Sequence, residues 1–500
     1  MLYLLCMALI KLSNSDRTFF QLVADATFTN PFSRQRAEID RKISGIGGIP
    51  DRKQQVSYAV EVIRERLANL DTNKRCRFQD FAGQDRLLMR YTFLFDVYHA
   101  YAAAFDAFIA HQQTSASPQK VPFAAAAIKA LILRGFTDEE AILYFSMFYQ
   151  IRRAFYFIDR GLVGKSDCMR KLRMDLWNNI FTYDIRDYEQ YMWDKMEDFS
   201  TLLEGPTGSG KGAAAAAIGR SGFIPYNPAS QEFAASFTRI FISINLSQFP
   251  ETLLESELFG HTKGSFTGAV SSHQGILSLC GRHGSIFLDE IGEISIPAQV
   301  KLLKVLEERL FSPVGSHEQL RFEGRVIAAT HQPIERLCRD GRFREDFYYR
   351  LCSDCIQVPP LAQRIKENPQ ELTELVEHFS RQITGELNTQ LVDRVISVIG
   401  QRLGPNYSWP GNVRELAQCI RRIILKRQYE GQAVKQSENA DALTESIKNG
   451  TLTADQLLNS YCRMLYQRLG TYEETARISG LDRRTVKKRI KQAESHDQFQ

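Results

Sequence analysis

A chain of 500 residues has room for about three domains at roughly 100–200 residues each. Its hydrophobic fraction of 44% and charged fraction of 24% are ordinary for a soluble globular protein that can bury large cores, which argues against a disordered or fibrous chain. The net charge of +5 is small for this length, so a nucleic-acid role must be argued from where charge clusters.

Residues Met1 to Ile10 are apolar and end at Lys11. The run is too short to span a bilayer, and it lacks the basic start and small-residue cleavage site of a signal peptide. It reads as a first core helix or an over-extended translation start, and no membrane association is expected. The first 161 residues read as all-helical. Leu88, Tyr91, Phe95, Tyr98, Tyr101, Phe105 and Phe108 are spaced three or four apart and paint one face of a helix over 85–111. A polar break at Gln113–Pro122 precedes a second helix over about 124–134. A third begins at the capping box Thr137-Asp138-Glu139-Glu140 and runs to about Phe157. This aromatic density reads first as core, with a ligand pocket as the alternative.

From about residue 162 short apolar runs alternate with helical stretches: Leu202-Leu203, 240–244, 285–288 and 325–329. That alternation predicts a parallel α/β sheet over 162–430. A polar stretch within 431–457 reads as a linker, and 458–500 as a short helical domain. The nine cysteines form no framework. Cys352-Ser353-Asp354-Cys355 has no second ligand pair for zinc, so ordinary thiols in a reducing cytoplasm are expected.

The chemistry starts at Gly205-Pro206-Thr207-Gly208-Ser209-Gly210-Lys211, a G-x-x-x-x-G-K string between a predicted strand and a helix. Its glycines let backbone N–H groups wrap phosphates, the helix N-terminus favours their charge, and Lys211 reaches the outer ones. The usual next residue is a Ser or Thr that binds Mg²⁺, but here it is Gly212, followed by five alanines. The strand Ser285–Leu288 ends in Asp289-Glu290. A buried strand that ends in two carboxylates suits Mg²⁺ held through water by Asp289 and an attacking water polarised by Glu290.

Near the C-terminus, Thr471–Ile490 looks like a helix-turn-helix. Ala476 would sit at the helix crossing, Gly480 in the turn, and Ile478, Leu481, Val486 and Ile490 in the core. Arg483, Arg484, Lys487, Lys488, Arg489 and Lys491 crowd the second helix, which would enter the major groove of double-stranded DNA. Arg484, Thr485 and Lys488 are the expected base readers, and the others phosphate contacts.

Glu255-Ser256-Glu257-Leu258-Phe259-Gly260-His261, followed by Gly264-Ser265-Phe266-Thr267-Gly268-Ala269, resembles the AAA+ activators of sigma-54 RNA polymerase. The family's loop reads G-A-F-T-G-A, so only Ser265 departs. The resemblance runs from about Lys165 to Arg427 and implies an AAA+ α/β P-loop domain with a helical lid. It implies that Phe266 and Thr267 touch sigma-54, and an exposed Phe between mobile glycines suits such an anchor. It further implies that Asn245 holds Glu290 away from water, and that Thr330 and His331 (where Thr-Asn is usual) sense the γ-phosphate. In Gly341–Leu351, Arg344 and Arg350 become arginine fingers toward the neighbouring subunit of a ring. In Trp409–Leu416, Arg414 becomes the lid sensor. Two departures stand out: Pro360-Leu361-Ala362-Gln363-Arg364 lacks one of the family's usual arginines, and 219–238 is a longer insertion than the family needs.

The expected protein is a cytoplasmic, nucleoid-associated bacterial regulator. It binds upstream DNA as a dimer through a Fis-like reader, assembles into a hexameric ring, and uses ATP and Mg²⁺ to drive sigma-54 RNA polymerase into an open promoter complex. The N-terminal domain shows no receiver-type acidic cluster, which leaves an unknown small-molecule or protein signal. Two alternatives are a DNA-binding repressor with a vestigial ATPase, suggested by Gly212 and His331, and an AAA+ ATPase that remodels another target.

Overall fold

In the computed structural model, residues 9–46, 52–70, 76–405, 407–431, 447, 450 and 452–496 are described. Most of the apolar run at Met1–Ile10 and most of the 431–457 linker lie outside them. The chain divides into one unit up to Tyr429 and a second from Glu430.

The first unit opens with six helices: α1 (Asn14–Phe28), α2 (Arg34–Ser44), α3 (Arg52–Leu70), α4 (Gln84–Gln112), α5 (Ala124–Leu133) and α6 (Asp138–Gly161). On α4 the expected stripe is the buried one: Leu88, Phe95, Phe105 and Phe108 are in the core, with Tyr91, Tyr98 and Tyr101 packed against it. Helix α6 begins at the expected capping box. The Glu140 N–H donates to Thr137 Oγ at 3.2 Å and the Thr137 N–H donates to Glu140 Oε2 at 3.0 Å. Helix α7 (Asp167–Phe181) leads into the α/β part.

There, five parallel strands form one sheet in the order β2-β3-β4-β1-β5. They are β1 (Thr201–Glu204), β2 (Phe241–Asn245), β3 (Ser285–Asp289), β4 (Arg325–Thr330) and β5 (Asp354–Gln357). The first four coincide with the apolar runs. The fifth has no such run: it is an edge strand on which only Ile356 is buried, and it contains the Cys355 of the C-x-x-C string. Register aligns Asn245 with Asp289, and Asp289 with Ala329, so the expected site residues share the carboxyl edge of the sheet. Helix α8 (Lys211–Gly219) follows β1, then α9 (Glu251–Phe259), α10 (Ile296–Glu308) and α11 (Glu345–Leu351). The lid is α12 (Leu361–Glu367), α13 (Gln370–Thr384), α14 (Thr389–Arg402) and α15 (Asn412–Lys426), closed on its own core of Leu375, Val376, Val395, Leu416 and Ile420.

The alanine run on α8 has a packing reason. This helix is covered by the sheet on one side and by α6 and α7 on the other, and Ala214, Ala215 and Ala217 are buried. Small side chains let three layers approach. Arg153 of α6, fully buried, caps this helix from outside: its guanidinium donates to the carbonyls of Arg220 at 2.7 Å and Gly222 at 2.6 Å. Burial pushes that guanidinium down to about 10.

The insertion after α8 packs on α6. Its hairpin, Tyr226–Asn227 against Glu232–Phe233, stacks Phe233 on Tyr149 with ring centroids 3.8 Å apart and sets Tyr226 edge-on to Phe145 at 4.9 Å. The Val121 N–H donates to the Gln231 carbonyl at 3.0 Å. The 219–238 insertion is therefore the strip onto which the N-terminal helices dock. One apolar cluster runs from Leu12 through Phe233 to Val358 without a break.

The second unit holds α16 (Ala454–Leu469), α17 (Tyr472–Ser479) and α18 (Arg483–His496) around Cys462, Val486 and Ile490. Gly480, at φ 68°, makes the turn between α17 and α18. Leu481 and Ala476 pack on the core as expected, but Ile478 does not: it is 43% exposed, and the buried position on α17 is Thr475. The helix is rotated so that the smaller residues Thr475 and Ala476 face the crossing.

Candidate functional site

The P-loop winds through left-handed conformations at Gly205 (φ 154°), Gly208 (φ 79°) and Gly210 (φ 111°). A Cβ on Gly208 would lie 2.4 Å from the Gly411 carbonyl oxygen, so this glycine is what lets the lid touch the loop. Lys211 is buried, and its Nζ donates to the Gly205 carbonyl at 2.8 Å. Burial pushes its pKa down, opposed by the nearby Glu290 and Asp289. Asp289 is pushed up by burial and by Glu290. Lys211, Asp289, Glu290 and Arg414 thus lie within electrostatic reach of one another. A Cβ on Gly212 would meet only the Phe287 ring, at 4.0 Å, so sterics leave room for the hydroxyl side chain that this position lacks.

Glu290 adopts φ 59°, a left-handed conformation unusual for a residue with a side chain. Its Oε2 lies 2.6 Å from His331 Nδ1, and since a carboxylate only accepts, the imidazole nitrogen carries the proton in that contact. Asn245 is engaged elsewhere: its Oδ1 accepts from the Ser247 N–H at 3.0 Å and the Ser247 hydroxyl at 2.7 Å. The side chain that holds Glu290 is therefore His331 and not the expected Asn245, because an imidazole at the end of β4 reaches across the crevice while Asn245 caps its own turn. Thr330 is buried and its Oγ accepts from the Gln332 N–H at 3.0 Å.

The lid meets the P-loop through the start of α15. The Asn412 side chain donates to the Thr207 carbonyl at 3.0 Å and accepts from the Leu361 N–H at 2.8 Å, while the Arg414 N–H donates to the Gly208 carbonyl at 3.3 Å. Sequence reasoning does not reach Asn412 individually; its signal lies inside the Trp409–Leu416 string. Nor does it reach a buried ion pair at the lid's other end, between Arg364 Nε and Glu371. Glu371 also accepts from the Ser166 N–H at 2.9 Å, and Arg364 donates to the Val163 carbonyl at 2.5 Å, so this pair ties lid helices α12 and α13 to the segment before α7.

The 264–269 loop is pinched at its base, where His261 and His273 exchange backbone hydrogen bonds of 2.9 Å. Gly264 and Gly268 are both left-handed, and the Gly264 N–H donates to the Ala269 carbonyl at 2.8 Å. Phe266 is not fully exposed as expected; it is half-buried, edge-on to His261 at 4.9 Å. Thr267 and Val270 are exposed. Ala269 is buried, and the buried Ser265 hydroxyl has no hydrogen-bond partner among the described residues.

Arg344 and Arg350 both have partners within the chain. Arg344 forks onto Asp346 at 3.0 and 2.6 Å on the surface, and Arg350 donates to the Leu306 carbonyl at 3.0 and 2.7 Å, at the end of α10. Just before α18, the Asp482 side chain caps the helix by accepting from the N–H groups of Arg484 and Thr485, and the Thr485 hydroxyl also donates to it. Arg489 reaches Asp455 of α16 at 2.6 Å and Arg483 reaches Glu473 at 2.9 Å. Arg484, Lys488 and Lys491 remain exposed on one face of α18, with Lys487 over the Tyr472 ring.

Residues 185–357 match the family model of the Sigma-54 interaction domain, and residues 366–456 match that of the AAA+ ATPase lid domain. The chain carries a sigma-54 interaction domain with its AAA+ lid. It is similar to the transcriptional regulatory protein GlrR of Escherichia coli K12, 36% identical over 60% of this chain and 64% of the relative. It is also similar to the Nif-specific regulatory protein of Klebsiella pneumoniae, 40% identical over 52% of this chain and 43% of the relative. The matched stretch thus spans less than two thirds of either relative. A solved structure of NtrX from Brucella abortus in complex with ATP aligns at 23% identity and TM-score 0.39, over 75% of this chain and 81% of that one.

Proposed function

We propose that this protein is a sigma-54-dependent transcription activator that hydrolyses ATP to remodel the polymerase. The observation that carries the reading is the meeting of the P-loop, the Asp289-Glu290 pair, His331 and the lid residues Asn412 and Arg414 at one edge of the sheet, in a domain that also bears the 264–269 loop.

The N–H groups of the P-loop and Lys211 bind the triphosphate. The cradle fits: three left-handed glycines keep the backbone bare, and a cation and two carboxylates face it. Asp289 would hold Mg²⁺ through water, and the ion would supply positive charge against the outer phosphates. Glu290 takes the proton of the attacking water as the water oxygen bonds to the γ-phosphorus and the bond to the β-phosphate oxygen breaks, leaving ADP. His331 holds the Glu290 carboxylate in place for that transfer. Arg414, on the lid helix that touches Gly208, reads whether the outer phosphate is present.

In a ring of subunits, Arg344 would exchange Asp346 for the neighbour's nucleotide, and Arg350 would give up Leu306. The state of the site moves the 264–269 loop, and Phe266 swings from His261 onto sigma-54. The second unit binds double-stranded DNA upstream of the promoter through Arg484, Lys488 and Lys491 on α18. Such a regulator works in the bacterial cytoplasm.

Steady-state ATP turnover tests the chemistry: Glu290→Gln is expected to lower kcat about 100-fold or more while nucleotide still binds. Open-complex formation on a sigma-54 promoter tests the output, where Phe266→Ala should abolish activation and leave ATP turnover intact. ATP turnover indifferent to Glu290→Gln would leave a DNA-binding repressor as the better reading.

A further inference from the structure

Charge is spread evenly over most of the chain, where 63 Lys and Arg face 58 Asp and Glu. The last lid helix is different. Between Glu415 and Tyr429 the cations are Arg421, Arg422, Lys426 and Arg427, and the sole carboxylate is Glu415 itself. Glu415 offers no surface charge: it is buried and accepts from the Gly411 N–H at 2.8 Å and the Tyr429 hydroxyl at 3.0 Å. Arg421, Arg422 and Lys426 are all exposed, and positions four or five apart on a helix share one side, here the side turned away from the core of Leu416, Ile420 and Ile423.

Nothing within the protein neutralises this face. Among the described residues none of the four cations pairs with a carboxylate: Arg421 donates to the Ala417 carbonyl of its own helix at 3.2 Å, and Arg422 lies over the Tyr429 ring at 5.7 Å. The acids of the adjoining α13 are engaged elsewhere. Glu371 is bound to Arg364 and Ser166, Glu374 to Lys165, and Glu374 and Glu377 line a cavity of 1870 Å³ between the lid and the helices before the sheet. On α14 the exposed Asp393 is outnumbered by the exposed Arg394 and Arg402. The helix dipole favours a cation in the last turn, which accounts for Lys426, but it does not reach Arg421 or Arg422. Arg422 and Lys426 are instead a like-charged i,i+4 pair, which destabilises a free helix and is relieved when an anion lies over both.

We propose that the outward face of α15 is a second DNA-binding surface, on which Arg421, Arg422 and Lys426 take the phosphate backbone of duplex DNA without reading its sequence. Phosphates suit the donors: a guanidinium forks onto two phosphate oxygens and an ammonium binds as a point charge. Contacts of this kind hold DNA and carry no sequence information. The choice of DNA over an acidic protein comes from the order of the chain and rests on the proposed DNA binding by α18. The stretch from Arg427 to Thr453 spans at most about 100 Å even if fully extended, at roughly 3.6 Å per residue. A duplex held by α18 is therefore tethered to α15 and meets it at a high effective concentration.

The test titrates the full chain onto a fluorescein-labelled duplex of about 40 base pairs and arbitrary sequence, and follows anisotropy from about 50 to 200 mM KCl. The triple variant Arg421→Gln, Arg422→Gln, Lys426→Gln should lower the slope of log K against log salt by about 2.7, at about 0.9 per phosphate. Over that range the wild type then loses about 40-fold more affinity than the variant. The same decrement is expected when Lys488→Ala is already present, because the two surfaces act separately. A wild-type slope in the triple variant at unchanged Tm would overturn the proposal. If the triple variant lowers Tm, Lys426→Gln alone decides: a slope lower by about 0.9 supports the surface, and no change refutes it. Leu425, 80% exposed among these cations, separates DNA from a protein partner. Leu425→Ser should leave the slope unchanged; if it and the triple variant both abolish self-association in analytical ultracentrifugation and neither alters the slope, the face is a protein interface and the proposal falls. Binding that is indifferent to Lys488→Ala but weakened by the triple variant would refute the role of α18 and leave the α15 surface standing.

Discussion

Replacing Glu371 by Gln would probe how the lid is anchored. Glu371 is fully buried and its carboxylate meets two donors, Arg364 Nε–H and the Ser166 N–H. Gln keeps the volume, but one oxygen becomes an amide nitrogen that faces one of those donors, and Arg364, itself buried, loses its counter-charge. Breaking a buried pair from one side costs about 3–5 kcal/mol. At about 2–4 °C per kcal/mol for a large domain, Tm of the first unit should fall by about 6–20 °C. Differential scanning calorimetry at neutral pH measures it. The control is Glu374→Gln on the same helix, whose partner Lys165 is 80% exposed, so that its loss should cost about 0–1 kcal/mol. The double variant Arg364→Met with Glu371→Leu should regain part of the loss; the Ser166 N–H and Val163 carbonyl stay without those partners, so recovery is incomplete. Equal shifts for Glu371→Gln and Glu374→Gln would refute the claim that this pair anchors the lid.

Gly208→Ala should weaken nucleotide binding, measured with a fluorescent ATP analogue. The left-handed conformation costs a side chain about 1–2 kcal/mol, and the new methyl group, which would lie 2.4 Å from the Gly411 carbonyl oxygen, pushes that carbonyl off the loop. His331→Ala should lower kcat for ATP about 10-fold or more with little change in ATP affinity, and His331→Asn should restore much of it; an unchanged kcat in the alanine variant would deny His331 its hold on Glu290. Lys488→Ala should weaken DNA binding and flatten its dependence on salt by about one unit of slope, whereas Asp482→Ala should lower the stability of the second unit by about 0.5–2 kcal/mol through the lost helix cap. Asp85 is held below the usual carboxylate range, chiefly by its hydrogen bonds from Arg17, against burial and with help from the Leu12 N–H. A depressed folded pKa stabilises above the unfolded value and the gain is lost as pH falls through the folded one. The Tm difference between the wild type and Asp85→Asn should therefore be full at neutral pH and shrink below about pH 4.

Much of the site was readable because phosphate binding imposes local rules on the chain. Glycines at 205, 208 and 210 must be contiguous with the lysine of the next helix, and the acidic pair must end a buried strand. Strand β5 escaped notice because an edge strand needs only one buried residue, here Ile356. The aromatic faces of α4 and α6 announced a core, but what they would pack against was invisible: Phe233 and Tyr226 belong to an insertion far along the chain. On α18, periodicity placed six basic residues on one helix, yet only the neighbouring helix and the cap showed that Arg489 and Thr485 have structural partners.

What the sequence determined by itself were the features set by short-range geometry: the P-loop, the acidic strand end, the capping box at Thr137, and the 264–269 string. The tertiary structure alone decided the choice of partners: His331 and not Asn245 on Glu290, the bonds that Glu371 and Arg364 make to Ser166 and Val163, and a cavity whose wall comes from helices both before the sheet and in the lid. Hydrogen bonds and ion pairs between residues tens to hundreds of positions apart depend on the packing of whole elements, which no local pattern encodes.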